Sequence, residues 1–135
     1  MRRELTLTTN RIDEAGLLAC RSASTKMGAI IYFAGVVRAT EGDKPIEGLN
    51  YEAFETMARH QFNLIFDEAE RRWPLESVRL AHRIGNVAAG EVSLWVEVTA
   101  PHRQEAFEAC QFLVDKMKVL VPIWKRPLTI GEGSS

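Results

Sequence analysis

Residues 92–121 read VSLWVEVTAPHRQEAFEACQFLVDKMKVLV, and the hydrophobic period changes at a single proline. Before Pro101, Val92, Leu94, Val96 and Val98 alternate with Ser93, Trp95, Glu97 and Thr99, the pattern of a half-buried strand. After it, Ala106, Phe107, Cys110, Leu113, Val114, Met117 and Val121 recur at three- and four-residue spacing. That spacing predicts a long helix beginning at His102 or Arg103. Pro122 ends it, because a proline disfavours helical angles in the residue before it.

A strand and a helix joined in this way must each bury an apolar side, and the rest of the chain supplies the partners. GAIIYFAGVVR (28–38) is rich in β-branched and aromatic residues and predicts a buried strand, with Gly28 and Gly35 as places for a bulge or a close backbone approach. Residues 46–51 predict a second strand. The period then lengthens to about 3.6 over Tyr51 to Trp73, where Phe54, Met57, Ala58, Phe62, Ile65 and Ala69 form the stripe of a second long helix that Pro74 stops. Val78, Leu80, His82 and Ile84 alternate as a further strand. Leu5 and Leu7 suggest a short one, and Asp13 is placed to cap a brief helix over 14–21. Ala39 to Pro45 reads as a surface loop turning at Gly42-Asp43, and Gly85-Asn86 and Gly90 bracket a short connection. The sum is a single compact α/β or α+β domain, with helices covering one face of a sheet, and a loose tail at 131–135.

Composition narrows the function. The 135 residues are 46% hydrophobic and 26% charged, and 17 basic against 18 acidic side chains leave a net charge of −1. A strongly basic nucleic-acid domain and a strongly acidic tail are both excluded, although local patches are not. Cys20 and Cys110 stand ninety positions apart and predict two reduced thiols rather than a disulfide framework. Three histidines, none at metal-ligand spacing, predict no metal site, and neither GxGxxG nor GxSxG occurs. No signal-peptide core follows the N-terminus, and the longest apolar run, Met27–Val37, is far below a membrane span. A cytoplasmic protein without membrane contact is the expectation.

The densest basic group is Lys116, Lys118, Lys125 and Arg126, which brackets the apolar Pro122-Ile123-Trp124. His102-Arg103 sits at a strand–helix junction, where free backbone N–H groups attract phosphate or carboxylate. Arg38 closes the apolar strand, and His82-Arg83 closes another. Each has a plain structural reading as well. Lysines near a helix C-terminus are ordinarily a solvated, dipole-favoured face. His102 reads equally as a surface histidine, and His82, alternating with Val78 and Leu80, as a satisfied, partly buried one.

Taken together and in order, several segments resemble one family, the large, catalytic subunit of molybdopterin synthase. They are GAIIYFAGVVR (28–38), GLNYEAFETMA (48–58), His82-Arg83-Ile84-Gly85, Pro101-His102-Arg103 with EAFEAC (105–110), and Lys118 with VPIWKR (121–126). The resemblance spans about positions 5 to 127, and PHRxxAFEAC followed by KxxVPIWK is its most specific part. It implies an α+β fold of the α/β hammerhead type, a single domain over 1–130 with a mixed or antiparallel sheet and two long helices, and a homodimer core of a heterotetramer. Each end of that dimer accepts a small ubiquitin-like sulfur-carrier subunit whose Gly-Gly C-terminus is activated as a thiocarboxylate. The implied substrate is cyclic pyranopterin monophosphate, sulfurated to the dithiolene of molybdopterin, with no cofactor bound by this subunit.

Carried over by residue, the resemblance makes Lys118 the principal catalytic lysine and Lys125 the second. Arg38, His102 and Arg103 become the basic residues that hold the pterin phosphate. His82, Arg83 and Arg126 fall at the pocket or dimer boundary. Lys125, Arg126 and Arg103 are the expected cationic neighbours of Lys118, since nearby positive charge favours a neutral amine. Two other classes stay open at this stage. One is a docking module without turnover; the other is a nucleotide or nucleic-acid binder, against which the near-zero net charge weighs.

Overall fold

The alternating strand at 92–100 is the centre of the molecule. The computed structural model describes residues 1–130, so the tail expected at 131–135 lies outside the described residues. In chain order the elements are β1 (Arg2–Thr8), α1 (Glu14–Ala19), β2 (Ala29–Val36), β3 (Thr40–Glu41), β4 (Lys44–Pro45) and β5 (Gly48–Ala53). There follow α2 (Glu55–Arg72), β6 (Ser77–Arg83), β7 (Gly85–Ala88), β8 (Val92–Ala100), α3 (Arg103–Leu120) and β9 (Ile123–Leu128). A mixed sheet runs β1-β6-β8-β2, with β1 parallel to β6 and the other pairs antiparallel. An antiparallel sheet runs β7-β5-β9, and β3 and β4 form a short hairpin turning at Gly42, whose φ is +60°.

Both long helices lie on one face of the mixed sheet, as the sequence predicts. Leu94, Val96, Val98 and Ala100 of β8 and Val78 and Leu80 of β6 meet Phe62, Phe66 and Ala69 of α2 and Ala106, Cys110 and Leu113 of α3 in one core. Strand β8 is buried on both faces, not half-buried. Its second face carries Trp95 and Glu97, and α1 with its following turn covers them. Glu97 accepts hydrogen bonds from Arg79 Nε at 2.8 Å and Arg21 Nε at 2.6 Å. The Arg79 guanidinium stacks 5.1 Å from the Trp95 ring, and Arg21 lies 5.8 Å from Tyr32. A carboxylate can be buried in a strand here because two guanidinium groups satisfy it.

Other expectations are corrected. Helix α2 begins at Glu55 rather than Tyr51, because Tyr51, Glu52 and Ala53 pair as strand with Lys125, Trp124 and Ile123. The stretch 85–90 is not a bare connection, since β7 pairs with β5. The loop 39–45 contains the β3–β4 hairpin. Phe107, expected on the buried stripe of α3, is 57% exposed; Phe112 is buried in its place and meets Trp73 edge-on at 5.3 Å. The two glycines of β2 behave as read. A Cβ on Gly28 would fall 2.5 Å from the Pro101 carbonyl oxygen, and the β2–β8 register shifts between Gly35 and Val36. Cys20 is exposed, Cys110 is buried, and both are free thiols.

Candidate active site

The β2–β8 register shifts between Gly35 and Val36, Val37 keeps backbone hydrogen bonds to Glu91 and Gly90 just before β8, and Arg38 follows at the edge of the second sheet. Val37 packs there with Ile46, Leu49 and Val87 in a small separate core. Between the two sheets opens a cavity of about 430 Å³, within the range of small-molecule sites. Three elements bring its cations. Arg38 comes from the end of β2. Lys118 comes from the last turn of α3, where the helix dipole favours a positive side chain. Lys125 comes from β9, because the chain leaves the helix at Val121, passes Pro122 and returns as a strand beside Tyr51. Six residues separate the two lysines in sequence, and this helix-to-strand reversal aims both at one space.

The remaining wall is mainly aromatic and apolar, with Phe33, Tyr51, Leu94 and Met117 beside Thr40 and Ser93; among the described residues Glu41 is its one acidic side chain. His82 ends the helix-facing row of β6 and forms part of the wall. It is 5% exposed, its Nδ1 lies 2.7 Å from the Arg83 carbonyl oxygen, and its ring meets Tyr51 edge-on at 5.1 Å. Burial pushes its pKa below 6.5, and the bond to the Arg83 carbonyl opposes this only in part.

The other sequence-predicted residues do not join this cavity. His102 caps α3, with its side chain 78% exposed and Nδ1 3.7 Å from Glu105 Oε1. Arg103 begins the helix, and both face a separate shallow groove formed with Gly28 and Pro101. Lys118 follows Arg103 by fifteen positions along the helix, about 22 Å at the helical rise. Arg103 is therefore not a neighbour of Lys118 within one chain, contrary to the expectation from sequence. Arg83 is buried on the opposite face of β6, where Nη2 donates to the carbonyls of Asn86 at 3.1 Å and Thr9 at 3.4 Å. Arg126 is exposed on β9 opposite Asn50. Among the described residues no group of three or more His, Cys, Asp or Glu side chains is placed to hold a metal ion.

Sequence reasoning missed Phe33, Glu41 and Tyr51 as cavity residues. Phe33 and Tyr51 fall inside two of the quoted segments, which was their only signal, and Glu41 had none.

Comparison with known proteins gives a consistent answer. The family profile described as MoaE protein matches residues 7–119. The molybdopterin synthase catalytic subunit of Pyrococcus abyssi is 42% identical over 122 residues, covering 90% of this chain and 80% of that protein. The crystal structure of molybdopterin synthase from Staphylococcus aureus superposes with a TM-score of 0.82 at 28% identity, covering 93% of this chain and 90% of that one. A chain from the Helicobacter pylori complex of subunits 1 and 2 of molybdopterin-converting factor shares the fold, with a TM-score of 0.72 at 23% identity over 96% of this chain and 90% of that one. With the match running from β1 to the last turn of α3, the chain belongs to the MoaE family of molybdopterin synthase catalytic subunits, enzymes of molybdenum-cofactor biosynthesis.

Proposed function

We propose that this chain transfers sulfur from the C-terminal thiocarboxylate of a small ubiquitin-like carrier, ending in Gly-Gly, to cyclic pyranopterin monophosphate, forming the dithiolene of molybdopterin. The observation that carries this reading is the convergence of Lys118, Lys125 and Arg38 on one cavity of about 430 Å³. The reaction brings together an anionic thiocarboxylate, a phosphate and developing negative oxygens, and fixed cationic donors in a confined site stabilise all three. Lys118 is the principal catalytic group and Lys125 the second, while Arg38 holds the phosphate. The aromatic wall of Phe33 and Tyr51 suits the flat pterin.

The carrier reading has its own support. Phe54 and Trp124 lie edge-on at 5.1 Å and are 67% and 52% exposed, and Val119 and Leu120 beside Lys118 are 80% and 48% exposed. Apolar surface of this kind beside a site marks a protein interface. The heteromeric Helicobacter pylori complex is consistent with such a partner.

His102 and Arg103 serve the same substrate only if a second copy supplies them, given the length of α3. A homodimer with one carrier at each end satisfies that geometry, and exposed Arg126 is then available at its boundary, whereas Arg83 is buried within its own chain. The enzyme works in the cytoplasm in this reading. The test is single-turnover conversion of cyclic pyranopterin monophosphate by the purified chain with thiocarboxylated carrier, read as the fluorescent oxidised derivative of molybdopterin. Product above the carrier-alone control supports the reading; carrier binding without product leaves a docking module.

A further inference from the structure

The best-defined polar group in the cavity is one to which the sulfur-transfer reading gives no role. A carbonyl oxygen only accepts hydrogen bonds, so the 2.7 Å contact to Arg83 fixes the proton of His82 on Nδ1. In the neutral ring Nε2 is then a bare acceptor. Among the described residues it makes no hydrogen bond, and it is not among the polar atoms sealed without a partner. Around it stand Lys118 from α3, Lys125 from β9, Arg38 after β2, Glu41 from the hairpin and Tyr51 from β5. Among the described residues that line the cavity, His82 is the one imidazole, beside two lysines, an arginine, a phenol and the exposed Glu41.

We propose that His82 is the proton acceptor of the reaction, its Nε2 taking a proton from the water that releases the spent carrier. This rests on the sulfur-transfer reading. When the thiocarboxylate sulfur bonds to the pterin side-chain carbon that carries a cyclic-phosphate oxygen, that carbon–oxygen bond breaks with its electron pair on the phosphate, the ring opens, and the carrier remains joined through an acyl thioester. The water oxygen bonds to the acyl carbon and one of its protons passes to Nε2. The carbon–sulfur bond breaks with its electron pair on sulfur. The carrier leaves as a carboxylic acid that loses its proton to solvent, and the thiolate stays on the pterin. Nε2 then returns its proton to solvent. Burial supports the role, since it keeps the imidazole unprotonated near neutral pH.

Single-turnover rates across pH 5 to 9 test this in wild type, His82→Gln and Glu41→Gln. Gln keeps the size and an acceptor but cannot take a proton. The expected result is a fall of about a hundredfold or more in His82→Gln, the scale of a positioned base, with carrier and pterin affinities within about threefold of wild type. The acid limb of the wild-type profile, lying below pH 6.5, disappears with it. Wild-type turnover with His82→Gln within about fivefold, or a collapse in Glu41→Gln instead, overturns the assignment alone. An inactive wild type overturns the sulfur-transfer reading and this with it. Should His82→Gln fail to fold, ¹⁵N NMR of the wild-type imidazole decides: an unprotonated Nε2 at pH 7 that shifts on pterin binding supports the role, and a protonated or unresponsive Nε2 overturns it.

Discussion

Replacing Glu97 by Gln removes one charge from the middle of β8 and leaves two guanidinium groups facing a neutral amide. Glu97 is 2% exposed and Arg79 9%, whereas Arg21 keeps 27% of its side chain in solvent. Breaking a buried pair by neutralising one partner costs about 3–5 kcal/mol, because the other charge is left uncompensated. Arg21 can turn toward water and Arg79 cannot, so the lower end, about 3 kcal/mol, is the expectation. By the same logic Arg21→Ala costs about 1 kcal/mol and Arg79→Ala more, since it also strips the stack over Trp95.

The assay is urea unfolding at pH 7, with the midpoint shifting at constant m-value. The pH dependence supplies an independent check. Burial raises the pKa of Glu97, but the hydrogen bonds from Arg79 and Arg21 and their charges outweigh it, so its folded value lies below 4.5. The unfolded state therefore binds the proton first as pH falls, and the stabilisation present above pH 4.5 is lost as pH drops toward the folded value. The gap between wild type and Glu97→Gln narrows over that window. A loss below about 1 kcal/mol at pH 7, or Arg21→Ala as damaging as Glu97→Gln, refutes this account of the second face of the sheet.

Three further outcomes are expected. Gly48→Ala places a Cβ 2.1 Å from the Val87 carbonyl oxygen, so it pushes β7 from β5 and costs roughly 1–3 kcal/mol, seen in urea unfolding and in faster amide exchange over 85–88. Since burial lowers the pKa of His82 below 6.5, the unfolded chain takes up that proton first; stability declines as pH falls from 6.5 toward the folded value, and His82→Gln flattens this segment of the pH–stability curve. Burial also pushes the Cys110 thiol up to about 11, so iodoacetamide at pH 8 modifies Cys20 in the native protein and reaches Cys110 only after unfolding, read by mass spectrometry.

The elements that sequence made legible are those with long, clean periodicity. β8, α2 and α3 announce themselves through alternation or a helical stripe, and Pro74, Pro101 and Pro122 mark their ends. The second sheet was hidden for a physical reason. Ile123–Leu128 and Gly85–Ala88 carry little alternation, and both become strands by pairing with β5, tens of residues away in the chain. Tyr51–Ala53 was drawn into the helix because a helical period continues past its true start until tertiary pairing decides otherwise. Among the candidate site residues, Lys118, Lys125 and Arg38 share a cavity because the chain reverses at Pro122 and β2 ends beside the second sheet, just before Arg38. His102 and Arg103 stand apart because a straight helix cannot bring its two ends together. That separation is implied by the fifteen positions from Arg103 to Lys118 along one predicted helix. His82 was read as a satisfied histidine, and half of that holds: Nδ1 is satisfied and Nε2 is not.

The most direct measurement is the single-turnover yield of the fluorescent molybdopterin derivative from wild type and Lys118→Ala, with carrier affinity measured in parallel. The account predicts product from wild type and a loss of about a hundredfold or more in Lys118→Ala at unchanged carrier affinity, as befits a group acting in the chemical step. Lys118→Ala turning over at the wild-type rate would contradict it.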